Sequence, residues 1–161
     1  MIAPEELVRV GFLRNLGGPH LNQLATMAEP KEYPAGAEIF RQGEDSPYLY
    51  FVLDGEVALD IRVSGREAVE VHRAGPGEFF GWSPALGRHA MTGTGRAAAP
   101  TRMALFGVAR VLELCELDPA FGMAFFRQVA RVLAWRLDET RQRLSRHLPR
   151  WPGGHPPQGS D

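Results

Sequence analysis

Cysteine is nearly absent from this 161-residue chain, where Cys115 stands alone. A single thiol excludes an internal disulfide, a thiolate-held iron–sulfur cluster and a Cys-x-x-Cys redox pair, and it fits a reducing compartment. Lysine is as scarce, with Lys31 set against 17 arginines. With the many Ala, Gly and Pro, that bias is the mark of a high-GC bacterial genome and says nothing of function. The formal net charge is −1, which argues against a protein whose main work is gripping nucleic-acid phosphates. No apolar run reaches the ~18 residues of a membrane span. The opening MIAPEELVRV has no basic stretch followed by a long apolar core, so no secretory leader is expected. These absences together predict a cytoplasmic protein with no membrane association. Catalytic signatures are missing too: there is no Gly-x-Ser-x-Gly, no phosphate-binding loop and no His-Glu-x-x-His. His20, His72, His89, His147 and His155 are scattered without metal-ligand spacing, and no pair of carboxylates is set for acid–base work. The expectation is a protein that is not an enzyme, with no metal site.

What is present reads as one domain. The chain has the length of one ordinary domain and, at 44% apolar, can bury a core. Residues 4–28 carry apolar positions at helical spacing, broken at Gly17-Gly18-Pro19. The period then changes. Tyr48-Leu49-Tyr50-Phe51-Val52-Leu53 is a short apolar run, Asp54-Gly55 follows, and Val57, Leu59, Ile61 and Val63 alternate strictly. The simplest reading is a strand, a tight Asp-Gly turn and a second strand. Ser64-Gly65 turns again, residues 68–73 alternate, Gly75-Pro76-Gly77 breaks, and Met103, Leu105 and Phe106 mark a last strand. Short strands at regular spacing, punctuated by Gly and Pro, predict a sandwich or barrel.

Helical spacing returns at residues 108–116. Asp118-Pro119 then caps a longer helix running to about Leu148. Along it Phe126, Val129, Leu133, Leu137, Thr140, Leu144 and Leu148 fall three or four apart. Such a seam suits either a coiled coil with a second copy or a helix lying on its own domain. The dimer reading assigns Phe126, Val129, Leu133, Leu137 and Leu144 to the interface. Charge is uneven: residues 1–117 hold 11 basic and 15 acidic groups, whereas residues 118–161 hold 7 and 4. The tail, residues 149–161, has four Pro and three Gly and is expected to be disordered.

Four motifs in order carry a resemblance. Phe12-Leu13-Arg14-Asn15-Leu16 resembles an "LF-x-x-L" opening. Tyr33, Gly36, Ile39, Gly43 and Glu44 match "y-x-x-G-x-x-I-x-x-x-G-[DE]". Tyr50, Val52, Gly55 and Val57 match "y-x-I-x-x-G-x-V". Gly77-Glu78-Phe79-Phe80-Gly81-Trp82 is similar to "G-E-x-F-G-E", which opens a phosphate-binding cassette. The chain thus resembles the cyclic-nucleotide-binding domain family, in its catabolite-activator (Crp-Fnr effector) form, over residues ~10–146. The resemblance implies a mainly β fold with flanking helices: an eight-stranded double-stranded β-helix (jelly roll) behind N-terminal helices, with a long C-terminal helix. It places the domain at residues 1–148, the roll at about 30–107 and the C-terminal helices at about 108–148.

The resemblance also implies a site: Phe80, Gly81, Trp82, Ser83, Arg88, Met91 and Thr92 in the cassette, with Arg136 and Thr140 from the long helix. Two departures stand in it. The cassette Glu that bonds the ribose 2′-hydroxyl in the family is Trp82 here, and the Arg that pairs with the cyclic phosphate is Met91. Losing a charge-assisted pair to a buried phosphate costs roughly 2–5 kcal/mol, so cAMP binding of the usual kind is not expected. Arg88, three residues earlier, replaces the fork if the loop is re-routed. Trp82 reads either as packing or as the face on which Arg136 stacks. No cofactor is assigned; a cyclic nucleotide or another small ligand remains open. Because only ~13 residues follow the helix, no DNA-reading domain and no direct DNA binding are expected, and output falls to a protein partner. Two functions fit: a regulatory sensor signalling through a dimerising helix, or a degenerate, closed-pocket module for dimerisation and docking.

Overall fold

The computed structural model describes residues 2–64, 66–87 and 90–147. The chain divides into two compact units, Met1–Gln128 and Val129–Asp161. The first opens with helices α1 (Pro4–Val8), α2 (Gly11–Arg14) and α3 (Gly18–Met27), which bury Leu7, Phe12, Leu13, Leu21 and Leu24. Proline sits in the first turn of α1 and of α3, where its missing N–H leaves no intrahelical bond unmade.

Eight strands follow among the described residues: β1 (Glu29–Tyr33), β2 (Glu38–Phe40), β3 (Tyr48–Asp54), β4 (Val57–Arg62), β5 (Ala68–Ala74), β6 (Phe79–Phe80), β7 (Thr94–Ala97) and β8 (Thr101–Gly107). They form two four-stranded sheets, in the orders β1-β8-β3-β6 and β2-β7-β4-β5. This is the roll expected from the resemblance. Between β6 and β7 lies a short helix, α4 (Trp82–Ala85). The Asp54-Gly55 turn differs from a simple hairpin: β3 pairs with β6 and β8, and β4 pairs with β5 and β7. The turn is a corner where the chain leaves one sheet for the other. Gly55 takes φ +88, and a Cβ there would meet the backbone of Pro100 and Thr101, so a side chain is excluded by space as well as by conformation.

One interior cluster draws on all eight strands. Tyr33, Phe40, Tyr50, Val52, Val57, Ala74, Phe80, Ala97, Met103 and Leu105 are buried together, with Met91 among them. The other face of β3 is buried as well. Phe51 stacks on Phe79 at 5.1 Å, Phe12 of α2 packs on both at 5.3 and 4.6 Å, and Phe125 lies 5.6 Å from Phe12. That is why residues 48–53 read as a continuous apolar run and not as an alternation: a strand covered on both faces has no solvent side.

Helix α5 (Val108–Leu117) and the long α6 (Pro119–His147) close the order. Asp118 caps α6, its Oδ1 accepting the N–H of Ala120 and of Phe121 at 3.1 Å each. Arg88, His89 and everything beyond residue 147 lie outside the described residues, as does the side chain of Leu144.

Candidate functional site

The cassette begins where the chain re-enters the first sheet. The N–H of Gly77 donates to the carbonyl of Val52, and the N–H of Val52 donates to the carbonyl of Glu78, both at 2.9 Å. Two ladder pairs, Tyr50 with Phe80 and Phe51 with Phe79, then hold β6 against β3. The two phenylalanines point to opposite faces, as the period of a strand requires. Phe79 joins the helix-facing aromatic stack and Phe80 the interior cluster, where it is 2% exposed. Phe80 is therefore a core residue of the roll.

Gly81 follows with φ +85, its Cα against the carbonyl of Tyr48. Only glycine fits this close approach at a left-handed angle, and it turns the chain into α4. Trp82 opens that helix half-buried, and Ser83 is buried. The carbonyls of Trp82 and Ser83 both accept the N–H of Leu86 at 3.1 Å, ending the turn.

Met91 returns the chain to the roll. Its N–H donates to the carbonyl of Glu44 at 2.9 Å, and its carbonyl accepts the N–H of Gly43 at 2.8 Å. The side chain is 6% exposed and belongs to the interior cluster. Thr92, the next residue, is exposed, whereas Gly93 is buried. Methionine at this position is an apolar filler with no group for a phosphate.

Charge in the cassette is sparse. Among its described residues, 77–87 and 90–92, the charged side chain is Glu78, whose Oε2 lies 2.9 Å from Nε2 of the buried His72. Two arginines on other strands of the roll are held by carboxylates. Arg96 pairs with Glu38 at 3.1 Å, and Arg73 pairs with Glu56 at 2.7 Å and Glu70 at 2.9 Å. Inside the roll, Tyr50 exchanges a 2.7 Å hydrogen bond with Ser46, and burial holds its phenol above the usual range.

The other expected site residues belong to the second unit. Arg136 is half-buried on α6. Thr140 is exposed, and its hydroxyl donates to the carbonyl of Arg136 at 2.8 Å, a bond within its own helix. Along α6, Phe126, Leu137 and Trp135 are 37%, 50% and 48% exposed, and Leu133 is half-buried. Val129, also expected at the interface, is 1% exposed in the single chain. Sequence spacing did not single out Met123, 67% exposed, because the seam was counted only from Phe126 onward, although Met123 lies three residues before it; Leu117, 78% exposed, ends α5 and lies outside that count. Spacing also missed His20 and Asp118 as a pair, since 98 positions separate them.

The profile of the cyclic nucleotide-binding domain matches residues 30–118, and this chain belongs to that family. Its fold is similar to that of a protein from Geobacter metallireducens GS-15 described as a candidate cyclic nucleotide-binding protein: the TM-score is 0.74 at 31% identity, over 85% of this chain and 99% of that one. It is similar also to the catabolite activator protein of Thermus thermophilus, with a TM-score of 0.69 at 25% identity, over 83% of this chain and 61% of that one. Among curated relatives, the cGMP-dependent protein kinase egl-4 of Caenorhabditis elegans is 28% identical over 95 residues, 58% of this chain but 12% of the kinase. The chain thus spans a small part of the kinase it matches. No helix among the described residues is long and apolar enough to cross a membrane.

Proposed function

We propose that this chain is a non-catalytic regulatory domain that acts through its C-terminal helices, and that it has given up the cyclic-phosphate contact of its family. The observation that carries this reading is Met91. At the position of the phosphate-pairing arginine it is buried in an apolar cluster built by all eight strands. Trp82 stands where the ribose-binding carboxylate would be. A phosphate brought to this wall would lose its hydration and gain no fork in return, a deficit of roughly 2–5 kcal/mol. Output would pass through α6, paired with a second copy of the chain and read by a protein partner. The exposed Phe126 and Leu137 support the pairing.

Calorimetric titration with cAMP and cGMP tests the reading. The wild type should show no binding at millimolar nucleotide, and Trp82→Glu with Met91→Arg should gain it. Tight binding of either nucleotide by the wild type overturns it. If that binding disappears in Arg88→Ala, the re-routed fork is the reason. The closed-pocket docking module is the second reading, favoured by the ring of Phe40, which fills the space a Cβ on Gly95 would need. It is the outcome to accept if no small ligand of any class raises the melting temperature.

A further inference from the structure

One side chain ties α3 to the junction of α5 and α6. Nδ1 of His20 lies 2.8 Å from the carbonyl of Leu16, and Nε2 lies 2.9 Å from Oδ2 of Asp118. A carbonyl and an ionised carboxylate only accept, and a neutral imidazole carries a single N–H. Both bonds therefore stand together on the imidazolium alone. Asp118 serves two partners with two oxygens: Oδ2 faces the ring, while Oδ1 caps α6. The ring of Phe121 closes the third side, edge-on at 5.2 Å.

We propose that His20 and Asp118 form a proton-operated latch, closed while His20 carries two ring protons and loosened when one is lost, since the single N–H that remains serves Asp118 or the Leu16 carbonyl but not both, which weakens the tie between α3 and the first turn of α6. The electrostatics agree. The Leu16 carbonyl, and then Asp118, hold the imidazole above its ordinary range. The N–H of Phe121, and then His20, hold the Asp118 carboxyl below its own. A raised histidine stabilises the folded state fully below its unfolded value and loses that contribution as pH rises through the folded value. A lowered carboxylate loses its contribution as pH falls through the lowered value. The latch is thus closed between the two and loosens on the alkaline side. Asp118 is the ionised group bonded to the ring. On α1, which packs against α3, Glu6 is bound to Arg102, while Glu5 and Arg9 are exposed, as are Arg14 on α2 and Glu116 on α5. The latch stands whether or not the cassette takes a ligand.

Site-resolved NMR of the His20 ring, read with amide exchange across residues 118–122, tests it. The wild type should titrate above the ordinary ~6.5. Asp118→Asn keeps a capping oxygen and should bring the midpoint down. Above the wild-type midpoint the amides of Ala120, Phe121 and Gly122 should exchange about tenfold faster after correction for intrinsic rate. His20→Gln should abolish that step, and if it does not fold, Asp118→Asn decides. A His20 midpoint at or below the ordinary value, or protection unchanged across it, overturns the latch.

Discussion

A methyl group on Gly81 would run into the carbonyl of Tyr48, whereas one on Gly36, at nearly the same positive φ, would meet nothing within 4 Å. Both substitutions force a left-handed angle on alanine, which costs roughly 1–2 kcal/mol. Only Gly81→Ala adds a backbone collision. It should destabilise by about 2–4 kcal/mol and Gly36→Ala by about 1 kcal/mol, compared in urea melts. Equal losses would mean that the approach of β6 to β3 has slack. The motif pattern located both glycines, but it could not separate the position that needs a turn from the one that also needs space. Met91 was legible in part. The resemblance implies a place for it in the cassette, but its burial in a cluster fed by eight strands was not legible, since those strands lie far apart in the chain.

Strand β3 teaches a similar lesson at the level of elements. Its apolar run showed that it was a strand. That both faces are covered, one by the roll interior and one by Phe12 and Phe79, is a matter of packing. Phe51→Ala should cost about 3–5 kcal/mol, the loss expected for a buried aromatic. Val63→Ala, at a side chain 61% exposed just past β4, should change stability by less than about 0.5 kcal/mol. A small effect at Phe51 would show that the helices are loosely seated on the sheet. The Asp54-Gly55 turn was read correctly as a turn. Whether it folds a hairpin or passes between sheets depends on which strands pair, and local turn chemistry is the same in both cases. On α6 the heptad-like count likewise cannot tell a face that meets a second copy from a position already buried, as Val129 is.

At the scale of the whole molecule, two properties follow from the helices. Melting temperature should fall in acid, as pH drops through the lowered values of Asp118 and of Glu6, which Arg102 holds down by hydrogen bonding. It should fall again in mild alkali, as pH rises through the raised value of His20. Thermal melts from acid to alkali measure this, and a profile flat on the alkaline side would remove His20 from the account. The proposed pairing through α6 predicts a dimer by light scattering at tens of micromolar. Met123→Lys with Leu137→Glu, both at exposed positions, should shift it to monomer. A wild type that is already monomeric would return α6 to the role of a helix serving its own chain.

The sequence alone determined the order of helices and strands and the family, because these depend on local spacing and on residue chemistry that a motif preserves. Tertiary structure decided which strands share a sheet, that Met91 is part of the core, that Val129 is buried, and that His20 meets Asp118. Each of these brings together residues from separate elements, and the free energy that selects them comes from burial and paired hydrogen bonds, which form only once the chain has closed on itself.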